Sequence, residues 1–239
     1  MSAALRLSIE TKRYGGRDAL APLRLDVADG EFVALLGPSG AGKTTLLQLI
    51  AGLDRDYRGC IVRGGGRIGM VFQEPRLLPW LSVRDNLALV GADEAGIDAL
   101  LAAVGLREHA GVYAHRLSGG MQRRVALARA FAIRPRLLLL DEAFVSVDVP
   151  TRAQLYALLL ALWARERPTV LCVTHELREA LLLADRLLFF SAAPGRVIAE
   201  RRVPLPRPRR DDDVALEALA RQWRPLLDGI GDTVQADVP

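Results

Sequence analysis

The sequence predicts an α/β fold in which a mostly parallel sheet is covered by helices and a helical lobe is inserted. Three observations carry this expectation. From residue 119 onward, short apolar strands alternate with amphipathic helices, the pattern of parallel strands joined by helical crossovers. A glycine-rich loop at residues 37–44 lies between an apolar strand and a helix. Between about Pro75 and His115 the texture changes to short helical pieces. With 239 residues, 51% apolar and 25% charged, the chain can bury a sizeable core and lacks the composition of a disordered one.

In chain order, Leu5–Glu10, Arg24–Val27 and Phe32–Leu36 read as strands, separated by Gly15-Gly16 and Asp29-Gly30 turns. Lys43–Ala51 carries Leu46, Leu47, Leu49 and Ile50, a short buried helix that Gly52 ends. The triple glycine Gly64–Gly66 marks a turn before a buried strand, Ile68–Phe72. Val83–Val90 and Ile97–Val104 are the helical pieces of the inserted lobe. Afterwards come helix Gly119–Ala132, strand Leu137–Leu140, helix Thr151–Arg165, strand Thr169–Val173, helix Leu177–Ala184 and strand Leu187–Ser191. In the second of these helices Leu155, Leu158, Leu159 and Leu162 repeat at i, i+3, i+4 and i+7, so that stripe faces the core. Past Val203 the chain is rich in proline and arginine, then acidic at Asp211–Asp213, which reads as a linker before one helix, Val214–Trp223.

Composition excludes several classes. The net charge of +4 is modest and no basic patch is interleaved with aromatics, so the pI near 9.5 reflects arginine usage and no nucleic-acid partner is expected. Only Lys12 and Lys43 among the 32 basic residues are lysine. Cys60 and Cys172 stand in unrelated contexts and read as small buried hydrophobes, without a disulfide or zinc pattern. The longest apolar stretch, Leu155–Ala164, falls short of the ~20 residues that span a bilayer. Charged residues interrupt the N-terminus, unlike a secretory signal, so the expected compartment is the cytosol.

Four segments carry chemistry. Gly37-Pro38-Ser39-Gly40-Ala41-Gly42-Lys43-Thr44 matches G-x-x-x-x-G-K-[ST], whose backbone N–H groups and helix N-terminus cradle phosphate oxygens. Lys43 offers an ammonium to the outer phosphates and Thr44 an oxygen to Mg²⁺. Leu137–Leu140 is an apolar strand ending in Asp141 and Glu142, where ligands of such sheets bind. Alternation points these two carboxylates to opposite sides, one free to serve a metal and one to polarise water. Val173-Thr174-His175-Glu176 ends a third strand in the same manner, although a lone histidine is more often structural. Leu117-Ser118-Gly119-Gly120-Met121-Gln122 is a serine N-cap followed by two glycines, a helix N-terminus with exposed donors but no lysine. It is half of a phosphate site.

Taken together, these residues resemble the ATP-binding subunit of an ABC transporter. Residues 37–44 look like Walker A, 117–122 like the family signature, 137–142 like Walker B, Gln73 like the Q-loop and His175 like the switch histidine, in matching order over about residues 5–203. The resemblance implies a P-loop cassette with a mixed sheet core, an antiparallel β subdomain and a helical subdomain at about 75–132, with a tail at 204–239. It also implies a head-to-tail dimer, each ATP lying between Walker A of one copy and the signature of the other. On this analogy Tyr14 stacks on adenine, and residues Gly37 to Thr45, including Thr45 itself, hold the nucleotide. Ser118, Gly119, Gly120, Gln122 and Asp148 contact it across the dimer. Thr44, Gln73 and Asp141 serve Mg²⁺, Asp141 through water. Glu142 activates water, and His175 holds the γ-phosphate. Implied partners are a second copy, separate permease subunits and an extracytoplasmic solute-binding protein, with the cassette on the cytoplasmic side of the membrane.

Two departures from the family pattern stand out: Ala143 replaces the usual proline after the glutamate, and the following loop ends in Val147-Asp148, with Val145 where a small residue is common. They raise the alternative of a low-turnover regulatory cassette. Phe72–Val83 and Ala193-Pro194-Gly195-Arg196 look like the nitrate, sulfonate and taurine importer group, with importers of thiamine precursors or another organic solute as the alternative. A soluble ABC protein acting on DNA or the ribosome would need coiled coils, zinc modules or a second cassette.

Overall fold

The computed structural model describes residues 3–232. Ten strands and seven α-helices follow in the order β1 (Ala3–Tyr14), β2 (Arg17–Leu20), β3 (Leu23–Ala28), β4 (Phe32–Leu36), α1 (Lys43–Ala51), β5 (Arg58–Arg63), β6 (Ile68–Val71), α2 (Val83–Ala88), α3 (Glu94–Ala103), α4 (Gly119–Ala132), β7 (Leu137–Asp141), α5 (Val149–Glu166), β8 (Thr169–Thr174), α6 (Leu177–Leu183), β9 (Arg186–Phe190), β10 (Val197–Arg202) and α7 (Val214–Asp232). They form two compact units, residues 66–168 and the remainder, so the second unit is wider than the 75–132 lobe.

The first unit holds two sheets. In the antiparallel one, β1 pairs with β2, β3 and β5. Along β1, Leu5, Leu7 and Ile9 are buried and alternate with more exposed residues, the period-2 pattern of a sheet with one covered face. In the mixed sheet, β4 runs parallel to β8 and β9, and β10 closes the edge antiparallel to β9. Strands β4, β8 and β9 are buried along their whole length, which is why they read as unbroken apolar runs. The short strands β2, β5 and β10 have no such run; their residues are mostly polar or exposed, and pairing alone makes them strands. Cys60, expected inside, lies exposed on β5 for this reason, whereas Cys172 on β8 is buried.

The stretch after Val203, read as a linker, is tethered. Arg209 is buried and donates to the carbonyls of Leu181 and Ala184 at the end of α6 and to that of Leu205. Arg207 pairs with Asp185 and the Leu183 carbonyl, and Arg178 on α6 pairs with Asp211 and Glu217. Helix α7 runs beyond Trp223 through Pro225, and its Leu216, Ala220 and Trp223, spaced i, i+4 and i+7, are buried.

In the second unit β6 and β7 pair in parallel. Helices α2, α3 and α4 share a core of Val83, Leu87, Ile97, Leu101, Val104 and Val125, against which Leu158 of α5 packs. Ser82, Asp93, Ser118 and Asp148 N-cap the four helices of this unit, each accepting a backbone N–H three residues on. In the same unit His115 is exposed and His109 is half-buried.

Candidate active site

Strand register sets the site residues at strand ends. In the first unit Leu36 pairs with Thr174, so Gly37 and His175 leave adjacent parallel strands side by side. In the second unit Val71 pairs with Leu140, so Gln73 and Glu142 leave β6 and β7 at matching positions. Neighbouring strands lie about 4.8 Å apart, which sets the spacing from which each pair departs.

The loop from Gly37 to Gly42 is built around its glycines. Gly40 and Gly42 have φ of +78° and +80°, a left-handed backbone that other residues adopt at a cost. A Cβ at Gly42 would lie 2.6 Å from the Ala19 carbonyl oxygen, and one at Gly37 2.8 Å from that of Phe190. Lys43, 4% exposed, donates from Nζ to the carbonyls of Gly37 (2.8 Å) and Pro38 (2.7 Å), which holds its ammonium inside the curve of the loop. Ala41 is buried, Pro38 half-buried, and Ser39 and Thr44 are exposed. Thr45, on the first turn of α1, is half-buried.

Gly195 braces this loop, a role its sequence context does not reveal. Its N–H donates to the Ala19 carbonyl and its own carbonyl accepts from Ala21, both at 3.0 Å. A Cβ there would stand 2.0 Å from the Ala41 carbonyl oxygen, so only glycine allows the close approach.

In the second unit Asp141 ends β7 buried at 7% exposure, and Glu142 takes φ +47°. A left-handed glutamate is strained, and such strain concentrates where a side chain must be aimed. Ala143 and Phe144 are buried, Phe144 edge-on to Tyr156 at 5.2 Å, and the turn closes with Val145 N–H donating to the Glu142 carbonyl. Ser146 is a second left-handed residue, and Asp148 caps α5, accepting from Thr151 N–H at 2.9 Å. That bond holds the Asp148 carboxyl below its ordinary range.

Ser118 and Gly119 are exposed at the N-terminus of α4, and a Cβ on Gly120 would meet the Thr151 methyl at 2.8 Å. The Gln122 amide turns back and donates to the carbonyls of Ala114 and Leu117, fixing the approach to the helix. Two arginines of α4 tie it to the neighbouring loops. Arg123 donates to the Val145 carbonyl, and Arg129 to those of Pro75 and Arg76, just beyond exposed Gln73. Burial depresses the Arg129 pKa. Neither arginine stands out among thirty; only their carbonyl partners, distant in sequence, reveal the role.

Residues 20–145 match the ABC transporter family. The chain belongs to the ABC transporter family. The cassette is 46% identical to the aliphatic sulfonates import ATP-binding protein SsuB 1 of Xanthomonas axonopodis pv. citri, over 93% of this chain and 94% of that protein. It is equally identical to SsuB 2 of Burkholderia cenocepacia, over 90% and 83%. Among solved structures it resembles the ATP-binding cassette MJ0796, a dimer in a post-hydrolysis state bound to ADP and Pi, with a TM-score of 0.73 and 29% identity over 84% of this chain and all of that one.

Proposed function

We infer that this cassette is the ATP-hydrolysing subunit of an importer of aliphatic sulfonates. The observation that carries the solute class is its 46% identity with an SsuB protein over nearly the whole length of both chains. In this reading two copies bind head to tail at the cytoplasmic face of the membrane. There they drive permease subunits that a solute-binding protein supplies. No helix among the described residues is long and apolar enough to cross a membrane.

Within the cassette, the N–H groups of residues 39–45 and the α1 N-terminus hold the phosphates, and Lys43 adds a compact charge where a planar guanidinium has no room. Thr44, Gln73 and Asp141, the last through water, are the residues that would hold Mg²⁺. One hydroxyl, one amide and one carboxylate suit a hard cation but are fewer than the six oxygens it prefers, the rest being phosphate and water. The ion supplies neutralisation of phosphate charge when bound. Glu142 accepts the proton of the attacking water, and His175 donates a hydrogen bond to the γ-phosphate. Ser118, Gly119 and Gly120 of the second copy close the site with backbone donors, with Gln122 setting their helix and Asp148 the facing loop.

The test reconstitutes the cassette with its permease and solute-binding protein in liposomes and measures ATPase activity with candidate solutes. Stimulation by alkanesulfonates, and not by nitrate or a thiamine precursor, is expected. Stimulation by one of the latter would overturn the solute class. An absence of turnover under every condition would favour a regulatory cassette.

A further inference from the structure

Lys12 is one of only two lysines, and no motif claims it. It is 1% exposed, and its ammonium meets three oxygen-bearing groups. Nζ lies 2.9 and 3.1 Å from the two Asp54 carboxylate oxygens, 2.6 Å from the Asp56 carbonyl and 3.4 Å from the Asp56 carboxylate. Three N–H donors on one nitrogen suit this set, where a planar guanidinium would not. The same ammonium stands 4.3 Å from the centroid of the Tyr14 ring, and the Tyr14 hydroxyl donates to Asp54 at 2.6 Å.

Asp54 is itself anchored to the phosphate-binding helix. It follows the left-handed cap Gly52 at the end of α1, and the N–H groups of Leu53 and Asp54 both donate to the Gln48 carbonyl. The hydrogen bond from Tyr14, with help from Lys12 and against its own burial, holds the Asp54 pKa down to about 2. It is therefore a fixed anion across the neutral range. Burial opposes the Lys12 charge, but Asp54, Tyr14 and Asp56 together raise its pKa, so the ammonium is a fixed cation.

We propose that Lys12 and Asp54 are positioning residues that hold Tyr14 as the platform for the nucleotide base. Asp54 fixes the hydroxyl end of the ring relative to α1. Lys12 covers one ring face, so a base stacks only on the other, and the cation withdraws electron density from the ring towards itself. Tyr14 is 48% exposed, which leaves area for that stack. The proposal rests on the reading of Tyr14 as the base contact and goes beyond it by naming what orients the ring.

Calorimetry with ATP and with inorganic tripolyphosphate, both with Mg²⁺, separates base from phosphate binding. Tyr14→Ala should weaken ATP about tenfold, within the range of base–aromatic stacking, and leave tripolyphosphate unchanged. Lys12→Met should weaken ATP about three- to tenfold, again without effect on tripolyphosphate, and should add nothing in a Tyr14→Ala background. Lys12→Arg, which keeps the charge, should show the same selective loss and serves if the methionine variant does not fold. Wild-type ATP affinity in both Lys12 variants, or an equal loss of tripolyphosphate binding, would overturn the positioning role. An unchanged ATP affinity in Tyr14→Ala would instead overturn the base contact on which it rests.

Discussion

Glu142 sits on a strained, left-handed backbone. Its φ of +47° costs on the order of 1 kcal/mol or more, which the surrounding loop holds in place through buried Ala143 and Phe144 and the Arg123 bond to the Val145 carbonyl. The usual proline is therefore not needed for this turn to form, and Ala143 fills a buried position. A general base contributes about 10²- to 10⁴-fold, the factor expected of Glu142 in the proposed role. Glu142→Gln preserves shape and hydrogen bonding but cannot accept a proton, so phosphate release should fall by that factor while ATP binding persists. Normal turnover would reject Glu142 as the base. The glutamate's identity was legible because it follows an apolar strand; its left-handed backbone was not, since φ there depends on loop packing.

Among helices and strands, the tail shows most of what a linker-like composition leaves unsaid. Arginine is rarely buried, so a stretch of alternating proline and arginine reads as solvated. In the fold, Arg209 finds the carbonyls that end α6, where a cation is favoured by the helix dipole, and burial holds its pKa down to about 10. Arg209→Met leaves the Leu181, Ala184 and Leu205 carbonyls without this donor, at about 1–3 kcal/mol. The melting temperature should drop by several degrees, about 2–4 °C per kcal/mol for a chain of this size. A melting curve matching the wild type would show that the strap contributes no stability. The same argument covers β2, β5 and β10, which take strand form from partners and carry little strand signal of their own.

For the proposed assembly, the exposed N-terminus of α4 is the decisive feature. Ser118 and Gly119 are exposed there with no lysine beside them, and in the proposed head-to-tail pair their donors gain a function. Ser118→Arg should block the contributed half-site, and Lys43→Ala the receiving one, so each variant alone should lack ATPase activity. Mixed, they form one intact composite site, and activity should reappear. Mixtures as inactive as the parts would refute the shared site. The motifs themselves were readable from the chain because each depends on a few adjacent residues: a glycine loop before a helix, carboxylates after an apolar strand, a serine cap before two glycines. The alignment of Gly37 with His175 and of Gln73 with Glu142, the wedge of Gly195 beneath Ala41, and the Lys12–Asp54–Tyr14 cluster were decided by tertiary structure. These depend on strand register and on close approach between residues distant in sequence, which local composition does not encode.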